Sequence, residues 1–228
     1  MPLVMFKRAS EAVQVGRRRG PTFDVEMRAI EAGAGPVAGI DEAGRGPWAG
    51  PVVAAAVILD PRCIPEGLDD SKVLREDQRE NLYAAIAASG AHIGVGIAEV
   101  DQIDSMNILR ATLWAMSAAV AKLSHAPRLV LVDGNKLPPL DCPARAIISG
   151  DAACMSIAAA SIVAKVTRDR IMVQLARVLP GYGFERHKGY GTPEHNHALG
   201  TLGVSAQHRR SFRPVRNALS VVRCKLAE

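Results

Sequence analysis

Four acidic residues stand where the 228-residue chain changes character. Asp41 and Glu42 lie in Gly39-Ile40-Asp41-Glu42-Ala43-Gly44-Arg45-Gly46-Pro47, with an apolar run before them and glycines after. Asp133 follows Leu129-Val130-Leu131-Val132, and Asp151 precedes a long alanine-rich stretch. An all-oxygen ligand set selects hard cations, Mg²⁺ or Mn²⁺, over zinc. Gathered in one place, such carboxylates repel one another unless cations lie among them. Two ions about 3.5–4 Å apart clamp the attacking and leaving oxygens of an in-line phosphoryl displacement. The chemistry these residue types allow is therefore metal-assisted hydrolysis of a phosphate ester.

Each acidic residue also has a plainer reading. An isolated Asp-Glu is usually a solvated turn, but a strand before it and Gly-Arg-Gly-Pro after it favour a site. Gly44 and Gly46 permit unusual dihedrals and close approach of backbone N–H groups to a ligand. The strand is therefore expected to stop here rather than carry the two carboxylates to opposite faces. Arg45 adds a permanently charged donor fork suited to phosphate. Asp133-Gly134 is also a hairpin signal. Against that reading, Lys136-Leu137-Pro138-Pro139-Leu140 does not resemble a returning strand, and strand C-termini of open α/β sheets collect sites. Both readings stand. Asp151 reads most simply as the N-cap of the following helix, a role compatible with serving a metal as well.

Other residues are suited to gripping a polyanion. Ser71, Lys72, Lys165, Arg168 and the run His208-Arg209-Arg210-Ser211-Phe212 offer phosphate donors, although each alone reads as surface charge. His187-Lys188-Gly189-Tyr190-Gly191-Thr192 puts Tyr190 between glycines in a basic loop, where its ring could stack on a sugar or base. His195-x-His197 is half a metal site with no third ligand nearby, and is set aside.

The elements that must position these residues follow from periodicity. Strands are expected at 37–41, 52–59, 92–100, 128–133 and 144–149, with the second apolar enough to be buried on both faces. Helices are expected near 76–88, around Leu109, Leu113, Met116, Val120 and Leu123, and over 152–178. Successive strands followed by strand–helix alternation predict an α/β fold with a mixed sheet flanked by helices. The chain divides into a flexible basic extension at 1–36, a catalytic core at 37–180 and a C-terminal substrate-binding region at 181–228. Arg17-Arg18-Arg19 in the extension reads as part of a solvated tail.

Charge follows that division. Residues 151–228 hold twelve Lys/Arg against five acids, whereas 21–150 hold eleven against seventeen. A basic end beside an acid-rich middle suits an enzyme that holds a polyanion in one place and metal ions in another. No apolar run approaches the ~18 residues of a membrane span, and no signal-peptide core opens the chain. Cys63, Cys142, Cys154 and Cys224 form no C-x-x-C pair, which argues against a zinc site or disulfide framework. The expectation is a cytoplasmic protein, monomeric because no exposed amphipathic stripe calls for a second copy.

In this order, the motifs closely resemble the bacterial ribonuclease HII family. The matching stretches lie at 39–59 (GIDEAGRGPWAGPVVAAAVIL), 70–74 (DSKVL), 131–135 (LVDGN), 150–170 (GDAACMSIAAASIVAKVTRDR), 187–195 (HKGYGTPEH) and 208–215 (HRRSFRPV). The resemblance implies a ribonuclease H-like fold with a mixed five-stranded sheet and a small C-terminal helical region. It implies Asp41, Glu42 and Asp133 as ligands of Mn²⁺ or Mg²⁺, with Asp151 as the fourth active-site carboxylate. The implied substrates are RNA–DNA hybrids and DNA duplexes containing ribonucleotides, cut 5′ to the ribonucleotide to leave 5′-phosphate and 3′-hydroxyl ends. The backbone of Gly44, Arg45 and Gly46, together with Tyr190, would read the ribose 2′-hydroxyl, the group that separates RNA from DNA. Two positions depart from the family pattern. Arg75 replaces the usual Ser or Thr ahead of a helix, so that either Asp77 caps instead or the helix start frays, and Trp48 stands where Leu is common.

Three other classes fit less well. The sister ribonuclease HIII group has a lysine-containing glycine turn and an N-terminal binding domain. A non-catalytic binding protein has no use for four acids near phosphates. A small-molecule phosphatase leaves the basic C-terminal third and Tyr190 unexplained.

Overall fold

The computed structural model describes residues 13–14 and 20–225. Six strands make one sheet: β1 (Val13–Gln14), β2 (Val37–Ala43), β3 (Val52–Ile58), β4 (His92–Ala98), β5 (Leu129–Asp133) and β6 (Ala144–Ile148). Their spatial order is β1-β6-β5-β2-β3-β4. The β2–β3 and β3–β4 pairs are antiparallel, and β1, β6, β5 and β2 run parallel to one another. The mixed sheet is thus present, with β1 as a two-residue edge addition to the five expected strands.

Eight helices cover it: α1 (Asp24–Ala29), α2 (Glu76–Ala88), α3 (Val100–Met106), α4 (Ile108–Ala121), α5 (Met155–Val178), α6 (Phe184–His187), α7 (Pro193–Leu202) and α8 (Arg213–Lys225). On one face α4 packs Ala111, Ala115, Met116 and Ala119 against Ile40, Ala54 and Ala56. On the other, α5 packs Ala159, Ile162 and Val163 against Ala55 and Val57. Every residue of β3 is buried, as its unbroken apolar run requires of a strand covered on both faces. The small side chains explain the abundance of alanine, since they let both helices lie close to the sheet.

Three expectations need correction. The folded part does not begin at Val37. Residues 20–36 are packed on the core, with Val25, Ala29 and Ile30 against Val37, Leu129 and Leu131. Within α1, Glu26 is fully buried, and its Oε1 accepts the Ser156 N–H at 2.8 Å and the Ser156 hydroxyl at 2.7 Å. A six-residue helix is too short to show a period, and a buried acid disguises the side that packs. Apart from Val13–Gln14, which form β1, residues 1–19, Arg17-Arg18-Arg19 included, lie outside the described residues.

Second, Asp77 does not cap α2. The Arg75 N–H donates to Gln78 Oε1 at 2.9 Å, and Asp77 instead pairs with the Arg75 guanidinium. Third, α3 breaks the expected run from strand to long helix. Asn107, with φ 70°, separates α3 from α4 and accepts the Arg110 N–H to start the second helix. Among the described residues, no helix is long and apolar enough to cross a membrane.

Candidate active site

The acidic residues converge at one edge of the sheet. β2 continues through Asp41 and Glu42 to Ala43, paired with β3, so the strand stops at the glycines but two residues later than expected, after both carboxylates. The pleat therefore sends the two carboxylates to opposite sides. Asp41 is buried. Glu42 turns to Arg45, whose Nη1 lies 3.3 Å from its Oε1. Asp133 ends β5, and the next strand runs parallel, which removes the hairpin reading. Its Oδ1 accepts the Gly150 N–H at 2.7 Å. Asp151 sits in the single tight turn Gly150–Ala152. It does not cap α5, which starts four residues later. Instead its Oδ2 accepts a bond from Lys72 Nζ at 2.8 Å.

Oxygens of Asp41, Asp133 and Asp151 all lie within 4.8 Å of one another. Burial first, then the charges of Glu42 and Asp133, pushes the Asp41 carboxyl well above the usual carboxylate range. Burial and then Asp151 push Asp133 up as well. Glu42 is raised by burial, with Arg45 pulling the other way. Burial works against the Lys72 ammonium, but its bond to Asp151 and the surrounding acids carry it above the ordinary lysine value. A compact, oxygen-only set in which burial and neighbouring acids work against the ionisation of Asp41 and Asp133 fits a hard divalent cation. Glu42 stands beside that triad, close enough to feel Asp133.

A groove leads away from the carboxylates past Arg45 and Gly46 to Lys72, Lys165 and Tyr190. Arg45 and Gly46 are exposed. Gly44 is buried with φ +97°, and a Cβ there would fall 2.0 Å from Arg168 Nε. Tyr190 is 47% exposed, and its ring lies 3.6 Å from where a Gly46 Cβ would be. Lys165 is tied to Asp169 at 2.7 Å. Ser71 lines the groove too, but it is buried, its hydroxyl accepting from that of Ser161 at 2.6 Å.

Arg168 and Arg209 are not phosphate donors. Both are buried and spend their N–H groups on backbone carbonyls of the 44–51 and 188 loops. Residue type alone cannot separate a basic side chain on the surface from one beneath a loop. In the 208–212 run, Arg210 stays exposed, and its N–H, like that of Ser211, donates to Asp104.

The histidines were also undervalued. His187, His195 and His208 cluster beneath the Tyr190 loop. His208 Nδ1 accepts the Ser205 N–H at 3.1 Å, which leaves Nε2 to carry the proton and donate to His195 Nε2 at 3.0 Å. His195 Nδ1–H then donates to the Tyr190 carbonyl at 2.9 Å. Burial lowers His195, and burial with His195 nearby lowers His208 to about 4. With both ring nitrogens engaged, His195 has no lone pair for a metal. These three histidines in the 27-residue stretch 182–208, which also holds Tyr182, Phe184 and Tyr190, were the available signal. Trp48 joins this cluster, 5.4 Å from the His195 ring, and fills the space that the absent side chain of Gly191 leaves.

The sequence profile of the ribonuclease HII family matches residues 38–215. The chain belongs to that family. Ribonuclease HII from Azorhizobium caulinodans is 56% identical over 212 residues, covering 93% of this chain and 82% of that protein. The crystal structure of the Pyrococcus horikoshii OT3 ribonuclease H2 superposes with a TM-score of 0.69 at 29% identity, covering 82% of this chain and 98% of that one. Bst ribonuclease HIII, crystallised in complex with Mn²⁺, has a TM-score of 0.67 at 20% identity over 82% of this chain and 70% of its own, a likeness of fold alone. As a ribonuclease HII the chain is a ribonuclease H endonuclease, of a divalent-metal-dependent family that cleaves the RNA of RNA–DNA hybrids.

Proposed function

We propose that the enzyme, besides cutting RNA–DNA hybrids, nicks DNA duplexes on the 5′ side of a single embedded ribonucleotide, leaving 3′-hydroxyl and 5′-phosphate ends. The observation that carries this reading is the adjacency of the largely buried Asp41–Asp133–Asp151 triad, through Glu42 and Lys72, to a groove bearing Arg45, Gly46 and Tyr190. Asp41, Glu42, Asp133 and Asp151 would hold two divalent ions, Mg²⁺ or Mn²⁺. When bound, such ions supply activation of the attacking water and charge stabilisation on the leaving 3′-oxygen.

The rest is the work of the chain itself. Gly150 N–H holds the Asp133 carboxylate in place, and Lys72 balances Asp151. Backbone N–H groups around Gly44, Arg45 and Gly46 bond the ribose 2′-hydroxyl while Tyr190 stacks on the sugar. A site that bonds a hydroxyl rejects its absence by roughly 10⁴–10⁵, so one ribonucleotide suffices as a target. The Arg45 side chain, Lys72 and Lys165 line the path of the phosphates. The enzyme works as a monomer in the cytoplasm.

The test is cleavage of a DNA duplex carrying one ribonucleotide, with Mn²⁺, with Mg²⁺ and with chelator. One metal-dependent nick 5′ to the ribonucleotide is expected. Degradation of a long hybrid without that nick would remove the junction-reading role.

A further inference from the structure

Two buried guanidinium groups lie under the Gly44–Pro51 loop with no ion pair to either among the described residues. Arg209 Nη2 donates to the Gly44 carbonyl at 2.6 Å, and its Nη1 donates to the carbonyls of Arg45 at 3.1 Å and Pro47 at 2.8 Å. Its Nε reaches Gly50 O at 2.9 Å, and Nη2 also reaches Pro51 O at 3.1 Å. Arg168 takes the Ala49, Pro51 and Lys188 carbonyls. Lys188 has φ 50°, an unfavourable conformation for a residue with a Cβ, and Arg168 holds it two residues before Tyr190.

The geometry of the peptide unit turns these bonds into an orientation. In a planar trans peptide the N–H points away from the C=O of the same unit. Drawing the Gly44 carbonyl inward onto Arg209 therefore turns the Arg45 N–H outward. Drawing the Arg45 carbonyl inward does the same for the Gly46 N–H. Both residues are exposed on the groove, and neither N–H finds an acceptor among the described residues. The next N–H, of Trp48, is already spent on the Gly189 carbonyl at 2.8 Å.

We infer that Arg209 is a positioning residue for substrate discrimination: by holding the Gly44 and Arg45 carbonyls, it aims the Arg45 and Gly46 N–H groups at the ribose hydroxyl, with Arg168 bracing the same loop and the start of the Tyr190 loop. The inference rests on the junction-reading role proposed above. A lysine at 209 keeps the charge but offers one nitrogen, which cannot hold carbonyls spread along the loop as a planar fork does.

The experiment compares Arg209→Lys with the parent on three duplexes: one ribonucleotide in DNA, a long RNA–DNA hybrid, and all DNA. A donor misplaced by about 1 Å costs about 10²-fold. Cleavage at the single ribonucleotide should fall by about that factor, chiefly in kcat, with a much smaller loss on the hybrid and unchanged binding to all-DNA duplex. Equal losses on both cleavable duplexes would overturn the inference and leave Arg209 a support of the fold. A parent that never nicks the single-ribonucleotide duplex would take down the junction reading itself, and this inference with it. Because Arg209→Lys risks unfolding, the parent gives a second readout. The amide resonances of Arg45 and Gly46 should shift on binding the ribonucleotide duplex without metal, and not on binding all-DNA duplex. Identical responses to the two duplexes would also overturn it.

Discussion

Like charges gather in two regions of this molecule, and they are tolerated for opposite reasons. At the carboxylate end, Asp41 and Asp133 have no ion pair among the described residues, and Lys72 is shared between Asp151 and Asp70. The cost shows in the raised Asp41 and Asp133 carboxyls. Under the Gly44–Pro51 loop, the proposed recognition loop, two guanidinium groups lie close enough to lower one of them, Arg209, with burial the larger cause. Every nitrogen of both groups nonetheless donates to a backbone carbonyl. Buried charge is costly unless it is paired or fully hydrogen-bonded. The recognition loop meets that condition from within the chain, while the carboxylates meet it only with a cation from solution. One region is a finished scaffold, and the other is completed by its cofactor.

The contrast breaks most visibly at Asp41. Asp41→Asn should lower cleavage of either substrate by about 10³-fold or more, matching the several kcal/mol of charge stabilisation that a metal supplies. In chelator the same variant should be more stable than the parent. A carboxyl whose folded pKa is raised loses stability as pH climbs from its unfolded value near 4 toward the folded one, and Asn removes that loss. A gain of about 1 kcal/mol would lift Tm by about 2–4 °C at this size. A fall in Tm in chelator would mean the acids are already compensated within the protein.

Beneath the neighbouring Tyr190 loop, acid is the lever. His208 is held near 4 against about 6.5 unfolded. Its contribution is present above about 6.5 and is lost as the pH falls toward and through about 4, up to about 3 kcal/mol in all. Protonation would also put a hydrogen on Nδ1, where the Ser205 N–H now donates. Urea titrations of the parent and His208→Gln between pH 7 and pH 4 would read this. The parent should lose stability more steeply, and parallel curves would remove His208 as the cause.

What the sequence disclosed follows the same division. Asp41, Glu42, Asp133 and Asp151 were legible because each ends or borders an apolar run, and such an end exposes a side chain at the sheet edge. The resemblance to ribonuclease HII supplied their roles. Arg168 and Arg209 were misread as phosphate donors, since the carbonyls that bury them come from far along the chain: Gly44 is 165 residues from Arg209. Asp151 was read as a helix cap because Asp before an alanine-rich run usually is one. Here the turn at Gly150–Ala152 intervenes. The residue that does bond the N-terminal turn of α5 is Glu26, 130 residues away from Ser156, and no local pattern reveals it.

Tyr190 separates recognition from chemistry at smaller scale. Stacking of an aromatic ring contributes about 1–3 kcal/mol, so Tyr190→Ala should slow nicking at a single ribonucleotide by about 5- to 150-fold. A long hybrid, with many ribonucleotides in contact, should lose less. Equal losses would move Tyr190 from reading the junction to general substrate grip.

Glu26 tests whether the two regions fail independently, because α5 belongs to both. Its first residues follow the Asp151 turn, and further along it carries Lys165 and Arg168. Glu26 Oε1 binds the N–H and hydroxyl of Ser156, as a capping side chain would, and losing a cap costs about 1 kcal/mol. Burial raises the Glu26 carboxyl against those same bonds, which keeps the net contribution small. Glu26→Ala should therefore lower Tm by about 2–4 °C, while Glu26→Gln, which keeps an acceptor oxygen, should lose less. Because the helix shifts as a unit, any activity loss should be equal on the single-ribonucleotide duplex and the hybrid, unlike the selective loss expected at Arg209 and Tyr190. A selective loss at Glu26 would show that α5 transmits strain to the recognition loop alone, and the two regions would then no longer count as independently supported.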